Sequence, residues 1–191
     1  MTRIRIRDVT GQDILAGKSH GLRDYAKLLS AVEATGAGDI VVLDWSGVEL
    51  ATASYFGATF VPLLRLAIEG QLDRYFVLTG LNQTSLDELR LVLENQGLVT
   101  LIGEWKEDGV RNAGTLGRLD PAYAETLQAV QRVEAASATE LFKKHTTRTR
   151  IGKTGWINRL SNLHRLRLVR KQRVGREYVF QALSKERSRG R

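Results

Sequence analysis

Residues 137–183 read SATELFKKHTTRTRIGKTGWINRLSNLHRLRLVRKQRVGREYVFQAL, and the order of local signals in this stretch decides the C-terminal fold. Ser137 and Glu140 stand at the spacing of a capping box, in which each side chain satisfies a free amide at a helix start. A short helix is therefore expected from Ala138 to about His145, with Leu141 and Phe142 turned inward. The polar segment from Thr146 to Ile151 follows and carries Arg148 and Arg150. A second helix is expected from Lys153 to about Leu166, because Trp156, Leu160, Leu163 and Leu166 recur at spacings of four, three and three and make one apolar stripe. The pattern then changes to two β-like runs, from Leu168 to Leu183, joined at Val174-Gly175.

Helix, polar turn, helix and basic hairpin in this order resemble the winged helix-turn-helix of MarR-like and ArsR-like regulators, over about Pro121 to Leu183. The resemblance implies that the second helix enters a DNA major groove while the hairpin, or wing, reaches backbone or minor groove. At about 100° per residue, Thr154, Asn158, Ser161 and Arg165 point away from Trp156, with Asn162 beside them. Lys153, Thr154 and Asn158, near the helix start, are the candidates for base edges. Arg148, Arg150, Arg159, Lys171, Arg173 and Arg176 complete the candidate DNA-binding set around the helix and wing. Two positions depart from these families: Arg167 stands where a glycine usually ends the helix, and Ile157 occupies a place often held by a polar reader.

Charge divides the chain at the same place. Residues 1–117 carry 11 Lys and Arg against 15 Asp and Glu, whereas 118–191 carry 18 against 6. The first part is thus net −4 and the second net +12, which sum to the +8 of the whole. A basic part beside an acidic one is the footprint of a chain that neutralises phosphates with one domain and does something else with the other. A solvated basic surface, or one meant for an acidic protein or a membrane, is the alternative. The 191 residues contain no cysteine, which removes disulfides, thiol nucleophiles and thiolate metal sites and fits a reducing compartment. Residues 1–20 carry no signal-type apolar stretch and no run approaches a membrane span, so a cytoplasmic location is expected.

In the N-terminal part, Arg3, Arg5 and Arg7 alternate with Ile4 and Ile6 in the period-two pattern of an edge strand. A helix is expected from about Ser19 to Ala34, with Leu22, Tyr25, Ala26, Leu29 and Val32 on its apolar side. Ile40 to Trp45 and Arg74 to Thr79 are nearly continuous apolar runs, as in strands covered on both faces. Between them Ala53 to Glu69 reads as a helix kinked or started late by Pro62. Ser85 and Glu88 form a capping box for a further helix closed by Gly97, and Val99 to Trp105 reads as the last strand. This alternation predicts an open sheet with helices packed on it.

The segment Asp39 to Phe60, DIVVLDWSGVELATASYFGATF, resembles the core of STAS and STAS-like domains, where a strand ending in Asp-apolar-Ser-Gly-Val leads to a Ser-bearing helix start. The resemblance covers residues 1–106 by pattern and these positions by motif. It implies a protein-binding or signal-sensing domain without catalysis. Members that antagonise anti-sigma factors carry an Asp-Ser-Ser triplet, phosphorylated on its first Ser. Aligned on Asp44–Val48, that triplet falls on Thr52, Ala53 and Ser54, so the acceptor position is alanine. Thr52 and Ser54 remain as possible regulatory residues, and their plainer role is helix capping.

The expected fold class is therefore α/β (α+β): a STAS-like mixed sheet with helices packed on it over 1–110, a linker over 111–119, a winged helix-turn-helix over 120–184, and a basic flexible tail over 185–191. The glycines between Glu107 and Gly117 suggest the join, with a hairpin at Asp108-Gly109, and Asp120-Pro121 marks a helix start whose core face carries Leu127, Val130 and Val133. No enzyme, cofactor or metal is expected. Gly152-Lys153-Thr154 lacks the first glycine of a phosphate loop, where Thr147 stands. His20, His145 and His164 have no paired ligand spacing. The expected function is a sequence-specific DNA-binding regulator acting on double-stranded DNA as a homodimer, with a possible protein partner at the STAS-like part. A non-enzymatic interaction or antagonist protein, whose basic part holds nucleic acid nonspecifically or binds an acidic protein, is the second expectation. RNA binding is the third, with no aromatic stacking surface to support it.

Overall fold

Alternation within the apolar run 40–45 divides the molecule into its two cores. The computed structural model describes residues 1–107, 109–145 and 151–184. In chain order the first elements are β1 (Thr2–Arg5), α1 (Ile6–Thr10), β2 (Ile14–Leu15), α2 (Lys18–Glu33), β3 (Asp39–Asp44), β4 (Leu50–Ala51), α3 (Ala53–Ala58), α4 (Phe60–Ile68), β5 (Arg74–Thr79) and α5 (Gln83–Gln96). They are followed by β6 (Val99–Lys106), β7 (Gly109–Gly117), α6 (Pro121–Val133), β8 (Ala135–Ser137), α7 (Ala138–His145), α8 (Lys153–Arg165), β9 (Val169–Val174) and β10 (Glu177–Ala182). The class is mixed α/β, as expected. A five-stranded sheet runs β1-β3-β5-β6-β7, parallel except for the antiparallel β6–β7 pair.

Val41 and Leu43 point to one face of this sheet, where they meet Leu28 and Val32 of α2, Phe56 of α3, Leu63 and Leu64 of α4, and Leu89 and Leu93 of α5. Ile40 and Val42 point to the other, together with Tyr75, Val77, Val99 and Leu101. The C-terminal elements cover that second face: the same core holds Leu127 and Val130 of α6, Leu163 of α8, Val169, and Phe180 and Leu183. The C-terminal elements therefore share one core with the sheet. Six buried side chains on the second face, at about 1.5–3 kcal/mol each relative to exposure, make its coverage worth on the order of 10 kcal/mol.

The segment expected as a linker is strand for most of its length. Gly109–Gly117 forms β7, paired from Val99↔Gly117 to Lys106↔Gly109, so the turn expected near Asp108-Gly109 joins two sheet strands; Asp108 itself lies outside the described residues. Low apolar content misled here because an edge strand buries little, and Val110 and Leu116 suffice to anchor it. Only Arg118–Asp120 separate β7 from α6. The proposed tail, 185–191, lies outside the described residues.

Three further expectations change in detail. On α2 the buried residues are Gly21, Asp24, Leu28 and Val32, and Leu22 is exposed. The helix turns this way because a side chain at Gly21 would collide with Ala58, and because Asp24 accepts from the buried Tyr55 hydroxyl at 3.1 Å. Burial, followed by the Asp24 charge, pushes the Tyr55 hydroxyl's pKa well above the usual phenol value. The second helical region is broken at Thr59 (φ −116, ψ −74), with Pro62 in the first turn of α4, where its ring no longer meets a helical carbonyl four residues back. The edge strand stops at Arg5, and Ile6 already begins α1.

Ser85 and Glu88 do not cap their own helix. Asn82 does, accepting from the Ser85 amide at 2.8 Å. The Ser85 hydroxyl instead accepts from the Ala51 amide at 3.0 Å, and the Glu88 carboxylate from the Ala53 amide at 2.6 Å. The pair thus holds the start of α3 to α5.

Candidate nucleic-acid interface

The C-terminal helices form as their sequence dictates. Asp120 caps α6 by accepting from the Ala122 amide at 2.8 Å. Ser137 and Glu140 form the expected reciprocal box at α7: the Ser137 amide donates to Glu140 Oε2 at 2.7 Å and the Glu140 amide to Ser137 Oγ at 3.2 Å. The Ser137 amide holds the Glu140 carboxyl below the usual carboxylate range. Trp156, Leu160 and Leu163 bury the inner side of α8 against Leu127, Val130 and Leu141.

The other side of α8 is free. Lys153, Thr154, Asn158, Ser161 and Arg165 are all exposed. Asn162 is half-buried and lies along the helix, donating to the Asn158 carbonyl at 3.1 Å and accepting from Arg165 at 3.3 Å. Arg159 takes the opposite flank: it is half-buried, with its Nη1 3.4 Å from the Ala122 carbonyl of α6. It is thus set apart from the other candidates. Arg148 and Arg150 lie outside the described residues.

The hairpin expected as the wing belongs to a three-stranded sheet, β8-β10-β9. Val174 pairs with Glu177 across a two-residue turn in which Gly175 adopts φ 61, a left-handed conformation that a glycine enters without cost. Register places Lys171 opposite Phe180 and Arg173 opposite Tyr178, so these two cations share the hairpin face that looks toward α8. Lys171 Nζ sits 3.9 Å from the Tyr178 ring centroid, and Arg173 and Arg176 are exposed at the tip. Thr139 fixes the wing to α7 through a 2.8 Å bond to Glu177. Between helix and wing lies a groove of about 320 Å³ lined by Lys153, Ile157, Ser161, Lys171, Tyr178 and Phe180, with Ser137 and Thr139 at one end. Tyr178 and Ile157, 52 % and 42 % exposed, were not among the sequence-derived candidates. The groove joins Ile157, which stands where a polar residue was expected, to Tyr178 of β10.

Arg167 explains its own departure from glycine. It occupies the left-handed region at φ 60 where α8 ends, a conformation unfavourable for a side chain-bearing residue. Its guanidinium crosses to the sheet: Nε donates to the Ala67 carbonyl at 2.7 Å, Nη1 reaches Asp73 at 2.9 Å, and the group lies 5.1 Å from the Tyr75 ring centroid. Beside it the Tyr75 hydroxyl and His164 Nδ1 are 3.3 Å apart. Burial lowers the His164 pKa, and Arg167 and Lys171 reinforce the shift. The α8 end is therefore pinned to the sheet.

In the N-terminal part, Thr52 caps α3: its hydroxyl accepts from the Tyr55 amide at 3.4 Å and from the Gly17 amide at 3.2 Å. Ser54 is exposed, 3.1 Å from Thr52 Oγ1. A shallow apolar groove of about 360 Å³ opens beside it, lined by Ser54, Gly57, Ala58, Leu91 and Val92. Asp44, the motif aspartate, is fully buried. It accepts from Ser46 and from Arg3, with Arg5 3.9 Å away. Burial opposes ionisation, but the Ser46 and Arg3 donors outweigh it and lower the Asp44 pKa. No helix among the described residues is long and apolar enough to cross a membrane.

No family model matches the chain, and no curated protein matches it. Among solved structures it is similar to one described as "Structural insights into the DNA recognition and protein interaction domains reveal fundamental homologous DNA pairing properties of HOP2". That similarity is 19 % identity over 32 % of this chain and 97 % of that one, with a TM-score of 0.30.

Proposed function

We propose that the protein is a sequence-specific, double-stranded-DNA-binding transcription regulator, in which the winged helix-turn-helix reads the duplex and the STAS-like part senses a partner or dimerises. The observation that carries this reading is the free polar side of α8, with Lys153, Thr154, Asn158 and Ser161 exposed and flanked by the cationic wing. Thr and Asn side chains can donate and accept at base edges, and Lys153, Lys171, Arg173 and Arg176 lie where phosphates would flank such a helix. One short helix supplies few base contacts, so the protein acts as a homodimer on two half-sites. The apolar groove beside Ser54 is the place offered to a regulatory protein, and phosphorylation of Ser54 or Thr52 would act there through added charge.

Selection of bound duplexes from a random pool tests the reading. Asn158→Ala and Thr154→Ala are expected to weaken binding to the selected duplex about tenfold and to leave random DNA nearly unchanged. Equal loss on both duplexes would favour a nonspecific scaffold and refute sequence-specific regulation.

A further inference from the structure

Ile157 is the outlier on the groove side of α8. It stands between Lys153 and Ser161 on one flank of the helix and is 42 % exposed, in a surface otherwise built of amines, hydroxyls and amides. It lies in the groove between α8 and the wing, where Tyr178 and Phe180 extend the apolar strip and Lys153 and Lys171 stand nearby. Leaving a β-branched alkyl group in water is unfavourable unless it meets apolar surface when the site is occupied. On the groove lining the two amines of Lys153 and Lys171 outnumber the one carboxylate, Glu177, which favours an anionic occupant.

An anionic partner with small apolar points has a specific chemistry. In the major groove the apolar group displayed by the base edges of unmodified DNA is the C5-methyl of thymine, surrounded by polar edges and phosphates. We propose that Ile157 is a specificity-determining residue that packs on a thymine C5-methyl, with Tyr178 closing the wing side of the contact. This rests on the DNA-binding reading above and sharpens it: the preferred site contains a thymine at the position facing the middle of α8. The four-residue spacing between Lys153 and Ile157 makes about one turn, so the same geometry lets Lys153 reach phosphate while Ile157 reaches a base.

The test removes only the methyl group. A duplex selected from a random pool is resynthesised with each thymine replaced in turn by deoxyuridine, and dissociation constants are measured for the wild-type protein and for Ile157→Ala. At one or two positions the wild type is expected to lose about fourfold in affinity, the worth of one buried methyl, and Ile157→Ala is expected to show no further loss there. Circular dichroism of Ile157→Ala checks the fold, and Ile157→Val, which keeps a branched methyl pair, is expected to retain the uracil penalty. Uniform tolerance of deoxyuridine by the wild type, or an unchanged penalty in Ile157→Ala, overturns the proposal while leaving DNA binding intact. Failure to bind any duplex overturns the DNA-binding reading and this inference with it.

Discussion

Arg167→Ala is expected to destabilise the whole chain by about 2–3 kcal/mol, through lost contacts nearly 100 residues away in sequence. The guanidinium is mostly buried, with its side chain 11 % exposed, and makes one bond to the Ala67 carbonyl and one to Asp73. Hydrogen bonds from a charged donor contribute roughly 1.5–3 kcal/mol, and the stacking on Tyr75 about 0.5–1. The Asp73 side chain is 56 % exposed, so its share is discounted for solvent screening. The Ala67 carbonyl also accepts from the Gly70 amide and is not orphaned by the change. Arg167→Gly loses the same contacts but relieves the left-handed backbone, which returns about 1 kcal/mol. The glycine variant should therefore be the more stable of the two, and both less stable than wild type.

Urea unfolding followed by tryptophan fluorescence measures this. Trp45 sits in the first core and Trp156 in the second, so one signal covers both parts. With a slope of about 2 kcal/mol per molar, the alanine variant should unfold at a urea concentration lower by about 1–1.5 M. An Arg167→Gly variant as stable as wild type, or more so, would refute the reasoning, because the backbone cost would then exceed everything the guanidinium contributes.

Other consequences can be checked independently. Gly80→Ala should cost at least 3 kcal/mol by thermal unfolding: Gly80 has φ +72, and an added Cβ would lie 2.6 Å from the Ser46 amide nitrogen. Because the Asp44 pKa is lowered in the folded state, its stabilisation is complete above the unfolded value of about 3.9 and is lost as pH falls through the folded value; Asp44→Asn should flatten that acid limb. His164 is lowered as well, so stability should decline as pH falls below about 6.5, the unfolded value, and a His164→Gln variant should lack that decline. In titrations against salt, removing Arg173 should reduce the slope of log affinity on log salt by about 1 per protomer; an unchanged slope would place Arg173 off the phosphate path.

Several elements were legible because their cause is local. The Ser137/Glu140 box, the Asp120-Pro121 start, the Val174-Gly175 turn and the 156/160/163 stripe each depend on residues within one or two turns, and all formed where the sequence placed them. The outward side of α8 followed from the same arithmetic. The Ser85/Glu88 pair carried an identical local signal yet went to α3, because Ala51 and Ala53 offer amides that only the packed sheet brings near. Leu22 was placed on the buried side of α2 for a related reason: a carboxylate such as Asp24 can be buried when a tyrosine hydroxyl from another helix meets it, and no periodicity in α2 contains Tyr55.

The amino-acid order alone determined β3, β5 and β6, the longer helices, the charge division and the exposed polar side of α8, since these depend on propensity, capping and period. It also implied, through the apolar run 40–45, that the sheet must be covered twice. Which element supplies the second cover was decided in three dimensions. The C-terminal elements from α6 to β10 do so, with Arg167 crossing to Ala67 and Asp73, because burying a second apolar sheet face outweighs the freedom that separate domains would keep. The groove that unites Ile157 with Tyr178 arises in the same way, from the angle between a helix and a hairpin that no local spacing encodes.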